Sequence, residues 1–458
     1  MTPKLRAERA RPAGRAAAAA LVLGTALYAW LAREPEGGPA RALIGAWTPG
    51  RFALGAALAW TALWAVAAHV ARASGRVLAR GALASLGLAL AWGALELSSW
   101  LGIVDYSAVL GMPESLRFVR VKPWNNPSNL RDETLLFRHR PHTGFQGRVP
   151  GDLVLLYGIA TERRYPVDVR YDERGFRNPP GLERAELVLV GDSFIEAGLV
   201  PADGLASTLL AELTGRTTAN LGHSGYGPQQ ELEVLRRYGL PLQPELVVWF
   251  FFEGNDLVDL VRYEAARSDP AMLDPEVTPY AFRSFTGNLV ARLAESTRRA
   301  RRTDSEEARR RSGMPPAPPG GIAERQYFAY PGLPFGKLEL ERLDAAQAVI
   351  REARAACRGR GAELLLVFVP TKFRVYAELC EFPPDGLAAG WRVNFLPESV
   401  RRFAVKESMP FLDLTPALQE AARAGEAVHF PDDGHWSPAG HAVVAAAVAG
   451  AVEALLGP

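Results

Sequence analysis

Cysteine is almost missing from this chain: two residues, Cys357 and Cys380, stand among 458. Two isolated thiols make no metal site, and no metal or other cofactor is expected. A charge excess is missing as well. Fifty-two Lys and Arg offset 50 Asp and Glu, for a formal net charge of +2. No basic stripe interleaves with aromatics, so no nucleic-acid partner is expected. No internal repeat stands out. The apolar fraction of 48% would suit a soluble protein, but that average conceals a sharp split between the first hundred residues and the rest.

Three apolar runs occupy the first part, at 16–32, 52–71 and 82–104. A helix needs about 20 mostly apolar residues to cross the hydrocarbon core, so each run reads as a spanning helix. A cleavable signal peptide could account for the first run but not for the next two. The amino-terminal tail carries Lys4, Arg6, Arg9, Arg11 and Arg15, and the break before the third run carries Arg72, Arg76 and Arg80 without an acid. Both segments are expected on the cytoplasmic side. Three crossings then place everything after Val104 outside, in contact with the lipid bilayer of a bacterial inner membrane and facing the periplasm. Glu96, in the outer part of the third run, reads as a wetted interface position, with a buried functional carboxylate as the other reading. Cys357 and Cys380 fall outside too, where a disulfide can persist. Spacing alone leaves their bridge open.

Beyond the membrane region the chain changes character. Residues 108–180 read as a connecting region with extended stretches at Asp152–Tyr157 and Val167–Tyr171. Five short apolar runs follow, at 186–190, 217–221, 245–252, 363–369 and 411–413, separated by helical patterns at 205–213, 229–238, 338–358 and 439–456. Continuous β-branched and aromatic runs are the mark of parallel strands buried on both faces. Alternation with helices argues for a sheet between two helical layers. The expected fold class is therefore α/β: a three-layer α/β/α domain over 181–458 with a five-stranded parallel, flavodoxin-like sheet, preceded by a three-helix transmembrane region over 1–107. A charge-dense, proline-rich stretch at 296–321 interrupts the rhythm and reads as a solvated, mobile insertion.

Four short features carry chemistry. Gly191-Asp192-Ser193-Phe194 follows the first strand, and Asn220-Leu221-Gly222-His223-Ser224-Gly225 closes the second. Glu253-Gly254-Asn255-Asp256 follows the third, and Asp432-Asp433-Gly434-His435 lies between the fifth strand and the last helix. Parallel strands point the same way, so all four gather at the carboxyl edge, where open α/β sheets bind ligands. A serine hydroxyl needs a base within hydrogen-bond reach to attack an ester. Ser193 is the expected nucleophile and His435 its base, with Asp432 fixing the imidazole and Asp433 as the alternative. The Ser193 and Gly225 backbone amides and the Asn255 side chain are expected to form the oxyanion hole.

Each feature has a plainer reading. Gly-Asp-Ser is a common turn after a strand, Asn255-Asp256 could cap a helix, and Gly225 could serve only the turn. His223, His429 and His441 are weaker base candidates. Tyr226 and Trp436 could stack on sugar rings or fill the core. The conjunction of the four features at one edge, in order, is what favours catalysis.

Those residues resemble the SGNH (GDSL-like) hydrolase superfamily, whose marker Ser, Gly, Asn and His fall at Ser193, Gly225, Asn255 and His435, with its Asp-x-x-His pair at Asp432 and His435. The likeness runs from about Leu187 to Leu456. The first block reads Gly-Asp-Ser-Phe, without the eponymous leucine. Tyr171–Arg177 and Pro370-Thr371-Lys372 resemble membrane-linked members found with bacterial surface-polysaccharide systems. The resemblance implies a serine esterase acting on O-acyl, chiefly O-acetyl, esters of an acylated carbohydrate. Two other functions remain: an O-acetyltransferase that moves the acyl group onto an exported polysaccharide with the help of a membrane acyl-transfer partner, and a non-catalytic carbohydrate-binding scaffold.

Overall fold

The computed structural model describes residues 75–104, 106–109, 129–268, 284–290, 305–314, 324–330 and 336–457. The apolar runs at 16–32 and 52–71 lie outside them. The third run is helical, but its helix, Gly75–Trp100, begins earlier than expected and takes in Arg76 and Arg80. Among the described residues the one helix long and apolar enough to cross a membrane is Pro438–Leu456. It is a core helix, burying Val444, Ala445, Val448 and Val452. The three-helix transmembrane region is thus not confirmed.

Two compact units are present. In the smaller, Thr286 donates its backbone amide to Glu96 Oε1 at 2.6 Å, and Trp92 Nε1 donates to Thr286 Oγ1 at 2.6 Å. Glu96 is therefore engaged by the protein itself.

The larger unit begins with two hairpins. Strands β1 (Asn129–Asp132) and β2 (Leu136–His139) pair antiparallel, as do β3 (Gly144–Val149) and β4 (Tyr165–Arg170). Between β3 and β4, Asp152–Tyr157 is a helix, contrary to the extended expectation. Asp152 sits in its first turn, where a carboxylate suits the helix dipole, and Gly158 ends it in the left-handed region. Its six residues are too few for apolar periodicity to separate helix from strand.

The central strands are β5 (Leu187–Gly191), β6 (Thr218–Gly222) and β7 (Leu246–Phe252), and every residue of β5 and β7 is buried. The short strands β8 (Ser312–Gly313) and β9 (Gln326–Tyr327) form a small antiparallel pair. With β10 (Glu363–Val369) and β11 (Phe411–Asp413) the main sheet is complete, in the order β11-β10-β7-β5-β6, all parallel. Successive side chains alternate between faces. Val188 and Val190 enter a core with Leu257, Leu343 and Val400, while Leu187 and Leu189 enter another with Leu210, Leu418 and Val448. Helices therefore cover both faces, as a three-layer α/β/α fold requires. The chain reverses direction across the sheet at β5, between β6 and β7, and this topological switch point is where such sheets open a crevice for ligands.

Residues 305–314 of the insertion are among the described residues and are ordered. Ser305 caps a helix at Glu306–Arg310 whose Ala308 is fully buried, and β8 follows directly. Tyr327 on β9 then donates its amide to the Pro431 carbonyl at 3.0 Å. The charged face of this segment stays wet while alanine and tyrosine anchor it; the residues 296–304 and 315–321 lie outside the described chain. Cys357 and Cys380 are free thiols, the first buried and the second partly so, and each packs as a small apolar side chain in a different core.

Candidate active site

Ser193 opens a four-residue helix immediately after β5. Asp192 caps it, accepting from Phe194 N at 2.9 Å. Arg177 secures its far end, donating to the carbonyls of Glu196, Ala197 and Val200. The nucleophile thus rides on a turn held at both ends, which fixes the direction of its hydroxyl.

His435 Nε2 lies 2.8 Å from Ser193 Oγ. On the other side of the ring, Nδ1 lies 2.7 Å from Asp433 Oδ1, which also accepts from the His435 amide at 2.8 Å. The carboxylate on the imidazole is therefore that of Asp433. Asp432, the expected partner, turns away: its Oδ1 accepts from the Tyr165 hydroxyl and lies 4.0 Å from Arg163 Nη1. The two acids sit in a turn and are held by different partners, so only Asp433 faces the ring.

The loop bearing the base is held from beneath. Buried Lys372 donates its Nζ to the carbonyls of Phe430, Pro431 and Asp433 at 2.6, 2.9 and 3.2 Å. Lys372 follows β10, where Thr371 N and Arg374 both bind Glu253, and Glu253 follows β7. One buried ion pair therefore ties together the ends of neighbouring strands. From the accessory region, Asp152 N donates to Asp433 Oδ2 at 2.7 Å and Gly434 N donates to Asp152 Oδ1 at 2.9 Å.

Charge at the site follows from this arrangement. Burial alone would push the His435 imidazole down, but the Asp433 carboxylate against it outweighs burial, and Asp152 and Asp192 add to it, so it is pushed up to about 9. Asp433 is lowered: burial opposes its ionisation, and the imidazolium and two backbone amides overcome that. Asp152 is pushed up to about 8, first by burial and then by the neighbouring Asp433 charge. At neutral pH the resting site holds an imidazolium–carboxylate pair, and the free base appears as pH rises.

Gly225 and Asn255 stand at the same carboxyl edge, after β6 and β7. Gly225 has φ +80°, a conformation side chains resist. Asn255 Nδ2 donates to Asp259 Oδ2 at 2.6 Å, and Arg262 in turn binds Asp259. An amide nitrogen has two protons, so this bond orients Asn255 and leaves one proton for an oxyanion.

Other candidates prove structural. Tyr226 is fully buried, bonded to the Phe137 carbonyl and stacked on His223, so it offers no face to a sugar. Trp436 is also fully buried, edge-on to Phe194 at 4.8 Å and to His441 at 5.5 Å. His441 Nδ1 accepts from Ala206 N, and His429 is sealed in the core. His139, Glu196 and His223 come close enough to suggest a metal site. The two imidazoles stack at 3.9 Å with only 10° between planes. Their in-plane lone pairs therefore run parallel and do not converge on one ion. Glu196 is already satisfied by His139, Tyr171 and Ser224 N.

Sequence reading did not assign roles to Asp152, Lys372 or Arg177. The last two lie in the Pro-Thr-Lys and Tyr171–Arg177 segments, so a signal existed without a function attached to it. Asp152 had none.

The chain is similar to several known proteins. Residues 337–458, which contain Lys372, Asp433 and His435, match the family described as SGNH hydrolase-like domain, acetyltransferase AlgX. A protein of Pseudomonas fluorescens described as "Probable alginate O-acetylase AlgJ" is 30% identical over 130 residues, 28% of this chain. The chain spans 32% of that relative's length. Among solved structures, a GDSL-like lipase from Bacteroides thetaiotaomicron overlaps 60% of this chain and 90% of its own at 13% identity, TM-score 0.29. A catalytic mutant of the acetylxylan esterase Axe2 from Geobacillus stearothermophilus overlaps 58% and 94% at 13% identity, TM-score 0.31.

Proposed function

We propose that this protein, whose residues 337–458 match the SGNH hydrolase-like family model, is a serine-dependent acetyl-ester enzyme that passes an acetyl group through Ser193 to a hydroxyl of a polysaccharide. The observation that carries this reading is the continuous relay from Ser193 Oγ to His435 Nε2 and from His435 Nδ1 to Asp433.

The chemistry follows from it. With His435 neutral, Ser193 Oγ attacks the acetyl carbonyl while its proton passes to Nε2. The Asp433 carboxylate stabilises the imidazolium that forms, as in other Ser-His-Asp relays. The Ser193 and Gly225 amides and the free Asn255 proton receive the oxyanion. Loss of one such donor commonly costs about 10²–10³ in rate. Collapse of the intermediate breaks the ester C–O bond, and the leaving oxygen takes the proton back from Nε2. The acetyl-serine is then attacked by a second hydroxyl, whose proton goes to His435; collapse breaks the acyl–Oγ bond, Ser193 Oγ takes the proton back from Nε2, and the new ester departs.

Transfer is favoured over hydrolysis by the descriptions of the two sequence relatives, an acetyltransferase and an O-acetylase. Hydrolysis remains the second reading, since Ser193 and His435 are only half-buried and open to water. An intact relay speaks against a non-catalytic scaffold, which needs no base on its serine. The apolar runs near the amino terminus support a membrane-anchored protein with this domain in the periplasm, where a membrane partner would supply the acyl donor.

Release of p-nitrophenol from its acetate, with and without a polysaccharide acceptor, tests the proposal. Transfer predicts acetylated polymer formed at the expense of free acetate. Ser193→Ala is expected to abolish both products and labelling by a sulfonyl fluoride. Labelling that persists in that variant removes Ser193 from the mechanism, and acetate release unaffected by acceptor leaves hydrolysis as the reaction. A reporter fused after Pro458 should be active only outside the cytoplasm.

A further inference from the structure

We propose that Asp152, contributed by the hairpin region ahead of the main sheet, is a positioning residue for the Ser193–His435–Asp433 relay, clamping the base loop through both its backbone amide and its carboxyl. This rests on the proposed role of the relay and names a fourth member of it.

The geometry is reciprocal. Asp152 N donates to Asp433 Oδ2, the oxygen that does not face the imidazole, and Gly434 N donates to Asp152 Oδ1. Asp433 Oδ1 is occupied by the imidazole and the His435 amide. Every direction in which the Asp433 carboxylate could swing is thus taken, and rotation away from His435 would break bonds on both oxygens. The accessory helix is seated closely enough to enforce this. A Cβ on Gly151 would lie 2.2 Å from the Asp432 carbonyl oxygen, so only glycine lets the helix start approach the loop. Hydrogen-bonded supports of this kind matter because a catalytic group displaced by about 1 Å can lose about 10²-fold in rate.

Charge gives a second consequence. The groups facing His435 are Asp433 and Asp152, with Asp192 from the nucleophile turn and buried His429 and His441 behind it. Those facing Asp152 are Asp433 and His435, with Lys372, Tyr157 and Tyr330 around them. Asp152 and buried Lys372 are both shifted to about 8, into the alkaline range of His435, and of the two it is the Asp152 charge that raises the base.

Asp152→Ala keeps the backbone amide but removes the carboxyl clamp. Asp152→Asn keeps an oxygen able to accept from Gly434 N, without the charge. The full-length protein is labelled with a sulfonyl fluoride across pH 6 to 10, and p-nitrophenyl acetate kinetics are measured alongside. Asp152→Ala is expected to lower kcat and the labelling rate about tenfold, within the range for a loosened catalytic group, with KM little changed. Asp152→Asn is expected to recover most of that loss while moving the acidic limb of the profile to lower pH. Melting curves identify a variant that fails to fold. Should alanine unfold the protein, the limb shift in Asp152→Asn decides. Wild-type rate, KM and pH profile in the folded variants would overturn the inference. Failure of the wild type itself to label would instead sink the proposed function.

Discussion

Asp433→Asn and Asp432→Asn differ by one position and should differ by orders of magnitude in effect. Asp433 Oδ1 sits 2.7 Å from His435 Nδ1, and its charge is the largest influence raising the imidazole to about 9 from an ordinary value of 6.5. That difference corresponds to roughly 3 kcal/mol of stabilisation of the imidazolium, at about 1.4 kcal/mol per pH unit. The imidazolium is what forms as Ser193 gives up its proton, so the same stabilisation acts in the transition state. An asparagine amide at this position would also present a donor to Nδ1 and favour the wrong tautomer. The expected loss is about 10³–10⁴ in kcat, as for removal of the acid from such a relay. The surviving activity should show its acidic limb below pH 9, because burial is then opposed only by the Asp152 and Asp192 charges. Asp432→Asn touches the Tyr165 hydroxyl and not the ring, so its rate and limb should stay near those of the wild type. Rates of sulfonyl fluoride labelling and of p-nitrophenyl acetate turnover from pH 6 to 10 provide the assay. A collapse in Asp432→Asn with a mild effect in Asp433→Asn would refute the assignment.

Two further outcomes concern stability. Arg374→Met leaves the Glu253 carboxylate buried and unpaired, and is expected to destabilise the domain by about 3–5 kcal/mol, measurable by urea denaturation; a shift under 1 kcal/mol would contradict the role given to this pair. The Asp433–His435 pair should stabilise the fold within a defined pH window. Asp433 is lowered, so its contribution is present above about 4 and lost as pH falls further, while the contribution of raised His435 is full below about 6.5 and lost as pH rises through about 9. The melting temperature of wild type minus that of His435→Gln should therefore be greatest between those values, and a difference that grows toward pH 10 would show the sign to be wrong.

The sheet was legible because it is buried on both faces. Leu187–Gly191 and Leu246–Phe252 are wholly apolar runs ending in polar turns, and that combination has few other interpretations. Ser193, His435 and the shared carboxyl edge followed from strand direction. The choice between Asp432 and Asp433 was not legible, since it depends on which way a loop residue faces, and that is decided by Lys372 and Asp152 from distant parts of the chain. Tyr226 and Trp436 beside catalytic positions looked available to ligand, yet residues adjacent in sequence need not share a surface. The helix Asp152–Tyr157 was too short to declare its period. The order within 305–314 came from tertiary contacts to Gly158 and Phe328 that composition does not record.

Lys372 has a consequence for how the protein comes into being. Nucleophile and base are 242 positions apart, and the loop that presents the base is fastened by a side chain that follows the fourth of the five main strands. During synthesis the serine and its turn can form long before the histidine exists, and long-range contacts of this kind assemble late. The growing chain would carry an inert hydroxyl through translation. Reactivity would arrive as one of the last events of folding, when the final helix docks and draws the imidazole into place.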